Sequence, residues 1–242
     1  MDFIKSISEP HILAQRLNKI GGIVRHGNRW FQTEYSLGYN VFEYRNISDL
    51  RYSRPFAMHS LEVNQFDGTD NTACSKDTFV YYEATSSHIH SYQLNEHHLI
   101  NATIRASKNP IYHFSRSFID LENDDGNLWI LYRSAIDGTF HASLRDCTSL
   151  KERKSWNLQF MDAKNIVNAF IACGHLYTVS QNITSNILNI IYDFNTGKFF
   201  QDMPVIGSWK RNGVPSNIQY DHISKTINAF DDGIIYSITV HM

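Results

Sequence analysis

Three side chains with oxygen donors, Asp120, Asn168 and Gln219, stand 48 and 51 residues apart, each within an apolar run. Asn71 and Gly21 carry the series backwards at intervals of 49 and 50 residues. Polar residues in such surroundings need partners once buried. Two readings fit. The groups hydrogen-bond one another and trapped water, or they hold a hard cation, because Ca2+ takes carboxylate, amide and backbone carbonyl oxygens. Asp120 is the one acid of the series. A single carboxylate neutralises a dication poorly, so a monovalent cation or a water is as good an occupant, and weak or absent Ca2+ binding is expected.

Other chemistry is thinly marked. His88 and His90 lie two apart on a strand, hence on one face. With His97 and His98 near, a transition-metal site is imaginable, but no Cys or carboxylate completes a ligand set, and a His-rich surface strand and turn is the simpler reading. The acidic run Glu122–Gly126 reads first as a hairpin turn, and it misses the EF-hand spacing. No GxSxG, HExxH, P-loop or GxGxxG is present, so no catalytic residue is assigned. Asn46, Asn101 and Asn182 begin N-x-S/T sequons and are candidate glycan acceptors. Cys74, Cys147 and Cys173 show no CxxC spacing. Cys147, after a strand end, is expected as a free thiol. The odd count suits a cytosolic protein, or a secreted domain whose missing partner lies elsewhere.

The elements that would position these residues are strands. Short β-branched and aromatic runs alternate with Gly, Asn, Asp and Ser, and the one stretch with helical character is Pro10 to Lys19. The runs RWFQ, FVYY, LWIL, LYTV and INAF place Trp30, Val80, Trp129, Tyr177 and Asn228 at spacings of 50, 49, 48 and 51. The strands that follow them end at Tyr44, Tyr92, Leu144, Tyr192 and Ile238, spaced 48, 52, 48 and 46. An all-strand unit of ~45–50 residues is the size of a propeller blade. The expectation is an all-β, five-bladed β-propeller filling residues 1–242 as one domain, with blade boundaries near 50, 105, 155 and 207. Blades packed face to face bury both faces of their inner strands, which explains the continuous apolar runs. A strand from residues 2–7 is expected to complete the last blade. The series nine residues before each anchor then lines the central channel.

Composition excludes several classes. The charged fraction is 19% and the net charge −2, with no basic stripe for nucleic acid. No apolar run approaches the ~20 residues of a membrane helix. The opening MDFIKSISEPHILAQ lacks the apolar core of a signal peptide, which suits an intracellular protein or a fragment of a longer one.

The stretches FIDLENDDGNLWILYR, VNAFIACGHLYTVS and NIQYDHISKTINAFDDGIIYSITV, in that order, resemble the olfactomedin domain. DTFVYYEATSSHIHSYQL is similar as well, so the resemblance runs from about residue 77 to the end. It implies an extracellular, non-catalytic five-bladed propeller that binds cell-surface or matrix proteins and in several members holds Ca2+ in its channel. Carried over by motif, the metal ligands would be Asp120, Asn168, the carbonyls of Ala169 and Ile218, and position 219. Gln219 replaces an aspartate there, and Phe118 stands where an acidic residue is frequent. Cys173 matches a disulfide cysteine whose partner would lie outside this chain. The alternatives are a propeller glycosidase, which needs two carboxyl groups ~5–10 Å apart, and a cytosolic scaffold.

Overall fold

Short antiparallel ladders joined by tight turns build every layer of the computed structural model, which describes residues 3–61, 64–162 and 165–242. The strands form five blades arranged as a β-propeller. Blade 1 runs outward through Gly21–His26, Arg29–Glu34, Asn40–Tyr44 and Ala57–Ser60. Blade 2 uses Thr72–Ser75, Thr78–Glu83, His88–Gln93 and His98–Thr103. Blade 3 uses Ile119–Asp124, Asn127–Arg133, Phe140–Asp146 and Glu152–Asn157. Blade 4 uses Ile166–Ala172, His175–Gln181 and Ser185–Asp193, with Lys198–Phe199 and Val205–Lys210 both paired to its third strand.

Blade 5 is Pro215–Asp221, Thr226–Asp231 and Ile234–His241, and the chain's beginning completes it. Ser6 and Ile7 pair with His241 and Val240, and His11–Gln15 continues along the same strand to Ile234. Closure by residues near 2–7 is therefore half of the arrangement; residue 2 itself lies outside the described residues. The helical character expected at Pro10–Lys19 is not realised. Leu13 and Ala14 are buried beside the last strand, where ladder bonds and burial outweigh weak helical propensity.

Five apolar clusters make up the core, one at each seam of the ring. Val24, Phe31 and Phe79 join blades 1 and 2, and Val80 and Leu121 join blades 2 and 3. Trp129 and Leu176 join blades 3 and 4, Tyr177 and Ile218 join blades 4 and 5, and Phe230 and Trp30 close blade 5 onto blade 1. Inner strands are buried throughout: all of Ile119–Asp124, Ile166–Ala172 and Pro215–Asp221.

Three of the four expected boundaries fall close to connections between blades. The first does not. Blade 1 extends to Ser60 because the short helix Ile47–Arg51, N-capped by Asn46, is inserted before its outer strand. The acidic run at Glu122–Gly126 is the hairpin expected, with Asp125 and Gly126 both at positive φ. The expectation for Cys147 is corrected. It is disulfide-bonded to Cys74, across a Cα separation of 5.9 Å, and ties the inner strand of blade 2 to the turn after the third strand of blade 3. The two lie 73 residues apart in sequence, and no short spacing signals the pair.

Candidate functional site

The ladder registers decide which residues share a level in the channel. Asp120 is opposite Leu131, Asn168 opposite Val179, and Asn217 opposite Phe230. Gln219 is opposite Asn228, level with Glu122 opposite Trp129. Counting nine residues back therefore stops two short in blade 5. Its first hairpin carries a turn at 222–225, between Asp221 and Thr226, whereas blades 3 and 4 turn on Asp125–Gly126 and Cys173–Gly174. In blade 2, extending the Thr72–Val80 register by two residues brings Asp70, not Asn71, to this level.

Contacts confirm that level. Asn168 and Asn217 donate from Nδ2 to Asp70 Oδ1 at 3.1 and 3.3 Å. Asn217 Oδ1 accepts the Ile23 N–H at 2.9 Å. Tyr112 donates its hydroxyl to Asp120 Oδ2 at 2.6 Å. Gln219 turns its amide nitrogen to the carbonyls of Asn71 and Leu121, the latter at 2.8 Å. Ala169 and Ile218 are buried inner-strand residues whose side chains pack in neighbouring seams. Phe118 is half-buried against the blade 2–3 seam.

The channel is more acidic than a single carboxylate. Asp70, Asp120 and Glu122 all sit inside it, and no cationic side chain pairs with any of them among the described residues. Burial pushes the Asp70 carboxyl up from 3.8 to about 6, against the pull of Ser117, Asn168 and Asn217. Burial and then the neighbouring acids hold Asp120 and Glu122 well above the usual carboxylate range. Tyr112 is likewise pushed up, first by burial and then by Asp120. Asp70 Oδ2 and Asn168 Oδ1 are buried without a hydrogen-bond partner, and the Asp120 and Glu122 carboxyls, buried side by side, have each other as a hydrogen-bonding neighbour only if one holds a proton.

That donor set is all oxygen and made mostly of carboxyl groups with no cationic side chain against them, which fits a hard cation and fits no soft transition metal. No three His, Cys, Asp or Glu side chains among the described residues close into a metal-holding group, so amide and carbonyl oxygens would have to share the coordination.

The segment between blades 2 and 3 roofs this centre. Ser117 Oγ accepts the Thr69 and Asp70 N–H groups at 2.8 and 3.0 Å, and Tyr112 reaches down from the same segment. Clefts at the two mouths, about 510 and 550 Å³, are lined by other residues than the three channel acids.

Sequence reasoning missed Asp70, Glu122, Asn217 and Tyr112. Glu122 was within reach, since it shares a strand face with Asp120 two residues away. Asp70 and Asn217 need the pairing register, which residue counting cannot supply. The histidines also differ from expectation. His90 is buried, stacked on Tyr81 and bonded to Glu83 at 3.1 Å, so a carboxylate is present after all, but as a structural partner.

The family profile described as "Olfactomedin-like domain" matches residues 1–242. This chain belongs to the olfactomedin-like domain family. Among curated relatives it is 28% identical to human myocilin over 203 residues, which is 79% of this chain and 38% of myocilin. It is 26% identical to zebrafish (Danio rerio) olfactomedin-like protein 3B over 174 residues, 67% of this chain and 43% of the relative. The olfactomedin-like domain described here thus spans less than half the length of these relatives. Among solved structures, Myxococcus xanthus glutaminyl cyclase aligns at TM-score 0.53 and 12% identity, covering 98% of this chain and 95% of that one. That likeness is one of fold alone.

Proposed function

We propose that this olfactomedin-like domain is a non-catalytic, extracellular protein-interaction module whose ring is pinned by a hard cation in the channel. The observation that carries the reading is the sealed cluster of oxygens on Asp70, Asp120, Glu122 and Asn168, which no cationic side chain meets among the described residues. Those residues would hold the cation, with Ala169 and Ile218 carbonyls as candidate supplements; Gln219 is engaged elsewhere. Bound there, Ca2+ would supply the positive charge that the buried carboxylates lack. Three carboxylates make Ca2+ a better occupant than a monovalent ion or water.

Other features support the extracellular reading. The Cys74–Cys147 bond suits an oxidising compartment. Asn46, Asn101 and Asn182 are all exposed, as glycan acceptors must be. Cys173 is exposed on a hairpin turn. No helix among the described residues is long and apolar enough to cross a membrane. The partner would be a cell-surface or matrix protein.

The glycosidase reading has one observation in its favour, the two acids beside Asp120. It is the weaker reading because a glycoside needs an open cleft between its carboxyl groups, and these acids are buried beneath the 107–118 segment.

The test is a thermal melt in chelator, in millimolar Ca2+ and in Na+ alone, on the parent and on Asp70→Asn. A native-state site raises the melting temperature with free cation. The reading expects a Ca2+ response that Asp70→Asn weakens. Identical melts in all three buffers would remove the cation from the proposal.

A further inference from the structure

All five inner strands run in one direction, so the channel has an entry mouth, where they begin, and an exit mouth, where they end. At the entry mouth a cleft of about 510 Å³ is lined by Lys19, Phe114, Arg116, Arg211 and Asp232. A second, of about 410 Å³, shares Phe114 and Arg211 and continues to Ile183. The two form one groove with Phe114 standing between them.

Three features set this groove apart. Phe114 is 67% exposed and Ile183 94% exposed, so two large apolar side chains stand in water at one site. Phe114 also has φ of +64°, a conformation that L-residues with bulky side chains adopt at a cost. The groove is cationic, and its acids are already engaged. Asp232 meets Lys19 at 3.5 Å, and the adjoining Asp231 accepts the Asn212 and Gly213 N–H groups. Arg116, exposed on the same segment as Phe114, makes no hydrogen bond or ion pair among the described residues. Arg211 spends one nitrogen on the Asn182 carbonyl.

We propose that this groove docks an acidic, extended segment of a partner protein. Phe114 and Ile183 would take its apolar side chains, and Arg116 and Arg211 its carboxylates. Arg and aromatic residues are the usual anchors of such interfaces, and Arg matches carboxylates with a two-pronged donor set. The inference deepens the interaction-module reading and rests on it.

The experiment offers a pooled library of short peptides, half their positions Glu or Asp and half Leu or Phe, against a matched library with Lys and Arg in place of the acids. Asn182 lines the second cleft, so the protein is first stripped of N-glycans. The expected result is enrichment of acidic peptides, with affinity falling as salt rises and dropping about tenfold or more in Arg116→Glu. Ile183→Asp, on a side chain too exposed to affect folding, is expected to lose the same peptides. Enrichment of neither library, or binding unchanged in Arg116→Glu and Ile183→Asp, overturns the proposal. So does stronger retention of a sulfated oligosaccharide than of any peptide. Capture of a partner through another face, insensitive to Arg116→Glu, would sink this inference and leave the module reading standing.

Discussion

The two mouths of the channel are built from the same five strands and differ in what their outermost side chains do. At the exit mouth, polar groups tie each blade to a neighbour. Asp124 of blade 3 accepts the Cys173 and Gly174 N–H groups of blade 4 at 3.0 and 2.8 Å. Asp221 of blade 5 accepts the Gly27 N–H of blade 1, and Asn123 donates to the Ala73 carbonyl of blade 2. The Cys74–Cys147 bond lies toward the same end. At the entry mouth, Arg116 makes no hydrogen bond or ion pair among the described residues, and Phe114, against the His113 ring, and Ile183 stand largely exposed. A polar side chain that bridges blades is accounted for by the fold, whereas one held at the surface without a partner is free to bind. The prediction is that exit-mouth substitutions cost stability and entry-mouth substitutions do not.

The largest effect should come from the disulfide. Cys74→Ala with Cys147→Ala opens a loop of 73 residues, and losing a native bond in a secreted domain costs ~2–5 kcal/mol. Denaturant unfolding of oxidised parent and double variant measures it. A difference no larger than a surface substitution would break the contrast between the mouths.

Between the mouths, the acids make stability depend on pH. The folded pKa of Asp70, about 6, lies above its ordinary 3.8, so the folded state holds that proton more tightly than the unfolded chain. Stability from this group is full below its unfolded value and is lost as pH rises through about 6, by roughly 3 kcal/mol. Asp120 and Glu122 are shifted in the same direction. In chelator the melting temperature should therefore fall between pH ~4.5 and ~7. Asp70→Asn should flatten the profile, and saturating Ca2+ should restore stability at pH 7. A chelated protein that is more stable at pH 7 would contradict the burial of these carboxylates without a counter-charge.

The blades were legible in the sequence because their anchors recur at nearly constant spacing, and each anchor strand is buried on both faces. The site was legible only where hairpins share one length. Asp120 and Asn168 belong to blades with two-residue turns and emerge on one level, while the longer turn at 222–225 moves Gln219 off it and Asn217 onto it. Asp70 lies ahead of its strand's first ladder pair, where nothing in the local pattern marks it. The pairing of Cys74 with Cys147 depends on the seam between blades 2 and 3, a contact that exists only once those two blades pack.

A smaller effect isolates one exit-mouth tie. Asp124→Ala removes the acceptor for two backbone N–H groups that cap the blade 4 hairpin. Burial holds the Asp124 carboxyl above its ordinary range, and those same N–H groups draw it back down. Losing each of these part-buried hydrogen bonds costs ~0.5–1.5 kcal/mol, so the melting temperature should drop measurably at pH 7. Protection of the Cys173 and Gly174 amides from hydrogen exchange should fall with it. An unchanged melt would mean that water replaces the carboxylate at no cost and that the exit mouth is as dispensable as the entry mouth.

The smallest effect has an inverted sign and tests the entry mouth. At an ordinary exposed site Ala is at least as stabilising as Gly, since Gly loses ~0.5–1 kcal/mol more conformational freedom on folding. At position 114 the φ of +64° reverses that order. An L-residue there bears ~1–2 kcal/mol of strain that Gly escapes. Phe114→Gly should therefore be more stable than Phe114→Ala by ~0.5–1 kcal/mol, even though both lose the same ring. Differential unfolding of the two variants reads this directly. Both should also lose the acidic peptides, because the apolar anchor is gone in each. If Ala proves the more stable, the positive φ at Phe114 is not a strained conformation held for the side chain it presents. If Gly is more stable yet binds no peptide, the strain at Phe114 is offset by packing elsewhere in the roof and is retained for what the ring contacts outside the fold.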